Sequence, residues 1–314
     1  MYAPRNLHGE VRPFGGSRET LAQRVREKED FMATRTIVTA RQERLGAELR
    51  KLRERAGVTA RDAGRVVGLD QAKMSHLEAG KVAVGEKRAR ALAAHYGVRD
   101  AALVEALAER AAERSRGWWE KFRGRMPKSA LDLAELEWHA SALRSVQVVN
   151  VPGLLQTEDY MRALFSYVAS DLELCDLDTV VEFRLQRRQV LERKNPPTLL
   201  VIVHEAALRM RVGDRKVTRD QLDHLLAAFD RPSITIQVLP FEVEGFAGMG
   251  YSMLYVADRV AAFDTVQVDQ MHGNLFLREE DQLVKYRNRW DKLDGVALGP
   301  SESRDFIHRI AREL

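Results

Sequence analysis

The chain of 314 residues contains a single cysteine, Cys175, so no internal disulfide can form and a reducing compartment suits it. In its mixed apolar and acidic setting that thiol reads as inert packing rather than as a nucleophile. No stretch approaches the roughly 18 consecutive apolar residues of a membrane span. The N-terminus also lacks an apolar segment of signal-peptide length. Together these features predict a cytoplasmic protein with no membrane partner. Motifs of catalysis are equally scarce. His204-Glu205-Ala206-Ala207-Leu208 opens like the zinc-binding His-Glu-x-x-His pattern, but Leu208 stands where the second histidine must be, so no metal face forms. Gly245, Gly248 and Gly250 are followed by neither Lys-Ser/Thr nor a helix. They predict a bend before a strand at Tyr251, not a phosphate loop. No Gly-x-Ser-x-Gly elbow occurs. The sequence therefore gives no catalytic residue, no metal ligand and no cofactor, and predicts a protein that is not an enzyme. Glu205, at a strand end, is the polar residue to watch, although a satisfied structural carboxylate explains it as well.

What is present is a soluble composition, 45% hydrophobic and 31% charged, in a chain long enough for two cores. The net charge of +4 is unevenly placed. Residues 41–98 carry 13 Lys/Arg against 7 Asp/Glu, residues 1–40 carry 7 against 5, and the remainder 30 against 34. Positive charge concentrated in one domain-sized segment points to a polyanion partner for that segment. Plain solvated helices would give the same surplus.

Four segments follow. Residues 1–40, interrupted by Pro4, Pro13 and Gly15-Gly16, show no sustained apolar period and predict an unfolded or only locally helical extension. Lys28-Glu29 can be encoded as a ribosome-binding-like hexamer just ahead of Met32, which offers that methionine as an alternative start to Met1. Residues 41–98 predict a small all-α domain. Leu45, Leu49 and Leu52 line one helical face that stops at Gly57. Thr59 caps a helix over 60–67, Gly68 breaks it, and Asp70 caps a helix over 71–79 that Gly80 ends. A fourth helix is expected over 85–96. A fifth, capped by Asp100, runs to about Arg116 and opens a helical junction over 99–128 that includes Gly117-Trp118-Trp119. Residues 129–314 predict a mixed α/β or α+β domain. Its helices are expected over 130–145, 157–168, 178–193, 218–229, 279–294 and 302–313, the last capped by Ser301. An extended stretch is expected over 146–151, and strands over 199–203, 234–239, 251–256 and 261–268.

The stretch from Val58 to Lys81 meets the geometric demands of a helix-turn-helix. Two helices crossing steeply need a small residue at their contact, supplied by Gly64, and a tight turn between them, supplied by Gly68. Met74 and Leu77 face inward at i, i+3. Gln71, Lys73 and His76 face outward with groups able to hydrogen-bond base edges, and Ala72 and Ser75 lie beside them. A helical hairpin that merely shares this pattern is the competing explanation, and His76, Lys73 and Arg61 could equally be solvated.

Here the sequence resembles the phage-repressor-like, Xre-type helix-turn-helix family over about residues 42–98, including Leu77-Glu78-Ala79-Gly80-Lys81. The resemblance implies that Arg53 pairs with Glu78, while the outward face of the second helix makes Gln71, Ala72, Lys73, Ser75 and His76 the expected base contacts. It also implies that Lys81 and the helix N-termini, Thr59 among them, meet phosphates of double-stranded DNA; Arg61 and Arg44 are further expected phosphate contacts on their position and charge, with plain solvation as the alternative. Ala60 and Ala63 depart from the family's usual Gln and Leu. A homodimer reading half-sites roughly 34 Å apart is the expected assembly.

Val151-Pro152-Gly153-Leu154-Leu155-Gln156-Thr157-Glu158-Asp159-Tyr160, with Gly117-Trp118-Trp119 before it and Ile236-Gln237-Val238-Leu239-Pro240 after it, carries a second resemblance over about 117–312. This region is similar to the C-terminal domain of antitoxin-like transcriptional regulators of high-GC bacteria, which are often encoded beside a small toxin-like protein. The resemblance implies a domain that senses a ligand or binds such a partner. Read from the residues alone, Pro152-Gly153 makes a turn, and Thr157 with Tyr160 opens a capped helix.

Overall fold

Thr39 starts the first helix, α1 (Ala40–Arg55). Its hydroxyl accepts the Gln42 amide while the Gln42 side chain accepts the Thr39 amide, so two otherwise orphaned donors are satisfied reciprocally. The computed structural model describes residues 38–113, 117–167, 176–244, 251–270 and 273–314. The expectations for the N-terminal extension up to residue 37, including Met32, and for Cys175, Gly245, Gly248 and Gly250 fall outside these residues. Residues 38–314 form one compact unit.

Four further helices complete a bundle: α2 (Ala60–Val66), α3 (Gln71–Glu78), α4 (Glu86–His95) and α5 (Ala101–Ala112). Leu45, Leu49, Met74, Leu77 and Leu92 fill its core, joined by Leu103 and Leu107 of α5. The packing of the bundle thus extends beyond residue 98.

The second half is a six-stranded mixed sheet in the order β3-β2-β1-β4-β5-β6, with helices on both faces. Its strands are β1 (Ala142–Gln147), β2 (Thr198–His204), β3 (Ile234–Leu239), β4 (Met253–Ala257), β5 (Thr265–Gln270) and β6 (Gly273–Leu277). Strands β1, β2 and β3 run parallel, and β4, β5 and β6 add antiparallel. The apolar run of β2 suits a central strand covered on both sides. One face carries the larger core, built with α6 (Lys128–His139), α7 (Glu158–Ser166), the 3-10 turn Gln189–Leu191 that follows α8 (Leu177–Arg188), α9 (Glu205–Arg209), α10 (Arg215–Ala228) and α12 (Pro300–Glu313). The other face packs α11 (Glu280–Asp294) through Leu283, Trp290 and Leu293 against Val146, Ile202 and Tyr255.

Several expected boundaries move. The helix expected to reach residue 145 ends at His139, and residues 142–147 become β1 because their backbone groups pair with β2 and β4, a non-local ladder that helical periodicity cannot register. The strand expected from Ala261 begins at Thr265 after a 3-10 turn over Ala261–Phe263, and β6 was not expected at all. The last helix starts at Pro300, with Gly299 rather than Ser301 at its cap. Glu205 is buried and satisfied, accepting from Arg209 Nε at 2.5 Å and from the Phe241 amide at 3.0 Å.

The two halves interlock through the segment between β4 and β5. Phe263, 2% exposed, lies in the core of the helical bundle rather than in that of the sheet. The Arg110 guanidinium of α5 sits 4.0 Å over its ring and pairs with Asp258. Arg44 of α1 donates to the Ala262 carbonyl. Burial lowers the Arg110 pKa to about 10 despite the Asp258 carboxylate. Phe263→Ala should therefore cost about 3–5 kcal/mol, read from the urea midpoint at unchanged m-value. A loss no larger than that of a surface substitution would contradict this interlock.

Candidate nucleic-acid interface

The turn between α2 and α3 is set by backbone contacts. Gly68 adopts φ +69°, a left-handed conformation costly for any residue with a side chain. Gly64 approaches the Leu69 carbonyl so closely that a Cβ would lie 2.6 Å from its oxygen. A second close approach, unremarked in the sequence, occurs at Gly46 of α1, where a Cβ would meet the Glu78 and Leu77 carbonyl oxygens at 2.5 and 2.6 Å. The end of α3 therefore rests directly on the backbone of α1. A glycine within a strongly helical run was the available signal for this contact.

Side chains lock the same arrangement. Arg53 reaches Glu78 with two parallel bonds, Nε to Oε1 at 2.6 Å and Nη2 to Oε2 at 3.0 Å, and its Nη1 donates to the Val58 carbonyl at 2.9 Å. The bonds to Glu78 raise the Arg53 pKa. Met74 and Leu77 are buried in the bundle core. Asp70 caps α3 by accepting the Lys73 amide at 2.7 Å, and Thr59 caps α2 by accepting the Asp62 amide at 3.1 Å.

The opposite side of α3 is open. Gln71, Ala72, Lys73, Ser75 and His76 are all exposed, on one short helix whose other side is packed. The Ser75 hydroxyl donates to the Gln71 carbonyl at 3.0 Å, and Lys73 Nζ lies 3.7 Å from Asp70. Thr59, Arg61 and Lys81 are also exposed, and among the described residues neither Arg61 nor Lys81 is held in an ion pair. Exposed Lys87 and Arg88, at the start of α4, add cationic groups that the motif alone did not single out.

Arg44 does not belong with these residues. Expected at a phosphate, it is 4% exposed, directed beneath the 3-10 turn at Ala262 and close to Glu48, with its pKa lowered by burial. The reason is its helix face: Arg44 points to the second half of the chain, a contact that the bundle's own sequence cannot reveal. Among the described residues no group of three or more His, Cys, Asp or Glu could hold a metal ion, and no helix is long and apolar enough to cross a membrane.

Two families match this chain. The family described as a helix-turn-helix domain matches residues 44–107, and the DUF5753 family, described as a domain of unknown function, matches residues 130–309. The second match covers more than half of the 314 residues, and the chain belongs to that family. No curated protein and no solved structure matches. The N-terminal match supports a helix-turn-helix DNA-binding regulator.

Arg53→Met would leave the Glu78 carboxylate buried and unpaired. It should destabilise the protein by about 3–5 kcal/mol in urea unfolding, whereas replacing both residues together with apolar ones should recover most of that loss. A single-variant loss below about 1 kcal/mol would show that the pair does not hold α3.

Proposed function

We propose that the chain is a sequence-specific transcriptional regulator that lays α3 into the major groove of double-stranded DNA as a homodimer. The observation that carries this reading is the two-sidedness of α3. One side is fixed to α1 by Met74, Leu77 and Glu78, and the other presents Gln71, Lys73, Ser75 and His76, which no element among the described residues covers. An amide such as Gln71 can bond an adenine edge in bidentate fashion, an ammonium such as Lys73 a guanine edge, and Ala72 can touch a thymine methyl. Thr59, Arg61 and Lys81 supply phosphate contacts that fix register and make affinity salt-dependent. One helix reads only a few base pairs, so two copies on half-sites roughly 34 Å apart provide the needed length.

The C-terminal domain, in this reading, receives the signal that governs DNA binding, and the Phe263 interlock supplies a physical route between them. A small toxin-like protein as the signal rests on the resemblance of residues 117–312, and co-purification of such a protein would support it.

Selection of bound duplexes from a random pool should yield a two-fold-symmetric consensus. On that operator Gln71→Ala should lose roughly 1–3 kcal/mol of binding, with little change on scrambled DNA. Lys81→Ala should weaken both and reduce the salt slope by about one. Equal losses for Gln71→Ala on operator and scrambled DNA would remove the base-reading role.

A further inference from the structure

The sheet face that carries the larger core is apolar along β2 and β3 but changes character across β1, β4 and β5. Ser145 pairs with Leu254 and Leu254 with Gln267, so all three share one face, and Leu254 belongs to the larger core beneath the helices. Gln147 and Asp269, two residues further along β1 and β5, lie on that face as well. A sheet face under helices ordinarily presents apolar side chains. Here a row of polar ones faces α6, whose Ser129 carbonyl accepts from Asn274, the residue paired with Asp269. This row lies at the carboxyl end of β1, where neighbouring β2 runs parallel and β4 antiparallel.

Two guanidinium groups from α8, those of Arg184 and Arg187, lie within electrostatic reach of Asp269 in this row. Arg187 pairs with Glu137 through bonds of 2.6 and 2.9 Å. Arg184 has no hydrogen bond or ion pair among the described residues. Its guanidinium lies 4.2 Å over the Phe165 ring, and the residue as a whole is half-buried. Both converge on Gly153, where a Cβ would lie 3.3 Å from Arg184 Nη1 and 3.9 Å from Arg187 Nη2. Desolvation, with the neighbouring Arg187 charge, lowers the Arg184 pKa to about 9. Glu137 is bonded to Arg187, and Asp269 acts on Arg184 only at longer range, so the Arg184 guanidinium is left with donors that an anion can fill.

We propose that Arg184 and Arg187, with the polar row of Gln147, Gln267 and Asp269, form a binding site for a small organic anion. Its phosphate or carboxylate group bonds the Arg184 guanidinium, and its hydroxyl or amino groups turn to Asp269 and the glutamine amides. Arginine suits this task because its planar fork matches both anion types. The inference deepens the signal-receiving role proposed for this domain, yet its binding step can be measured without DNA.

Thermal unfolding of the full chain should be followed in inorganic phosphate and in citrate, against chloride at matched ionic strength. At least one probe should raise the wild-type midpoint with a saturable concentration dependence. A shift with phosphate alone would assign a phosphate-bearing ligand, and with citrate alone a carboxylate. Arg184→Gln should weaken that binding at least tenfold, while in chloride it should melt close to wild type, since among the described residues the guanidinium it removes makes no hydrogen bond or ion pair. Arg304→Gln on the surface and Gln71→Ala in α3 should both keep the anion response, so failure of DNA recognition and failure of anion binding are read separately. No shift with either probe, or an undiminished shift in Arg184→Gln, would overturn the proposal.

Discussion

A single guanidinium holds together the elements that any DNA-reading surface here requires. Arg53 bonds both oxygens of Glu78, at the end of α3, and the Val58 carbonyl in the turn ahead of α2. The helix that faces outward, the helix that braces it and the segment between α1 and α2 are therefore fixed relative to one another by one side chain. Tyr96 lies close enough for its pKa to be raised, first by burial and then by the Glu78 charge. The pair is 11% and 6% exposed, so solvent screens it little, and the strength of the lock comes with a penalty if either partner is lost.

The precision of α3 is otherwise a matter of backbone proximity. At Gly46 and Gly64 no side chain fits, so α1, α2 and α3 touch at closer range than ordinary helix packing allows. Short helices are marginal on their own. An eight-residue α3 owes its shape to Asp70 at one end, to Glu78 at the other and to the core side chains between. Its exposed residues then need no rearrangement to present their polar groups. The bundle is in turn seated on the sheet half through Phe263, Arg110 and Arg44, so a change in the C-terminal domain has a packed, charged contact through which to act on α1 and α5.

Sequence reasoning succeeded where structure is local. Thr59, Asp70 and Asp100 cap helices because a side-chain oxygen meets an amide two or three residues on, and Gly57, Gly68, Gly80 and Gly97 end helical segments because each turns to positive φ. The strand at Ile234–Leu239 was legible from its alternating β-branched residues. Non-local pairing was not legible. Residues 142–147 carry a helix-compatible pattern and become a strand only because β2 and β4 lie alongside. Arg44 looked like a phosphate ligand because nothing within the bundle tells which of its faces the second half covers. Phe263 completes a core from more than 150 residues away, and Arg184 and Asp269 come within electrostatic reach only through tertiary folding.

The central claim, that α3 is the surface in contact with the bases, is tested most directly by proximity. With Cys175 replaced by serine, a photoreactive group attached at Ala72→Cys, on the exposed side of α3, should cross-link to bases within the selected operator, while the same group at Ala102→Cys on α5 should give none. Cross-links from position 102 with none from position 72 would contradict the account.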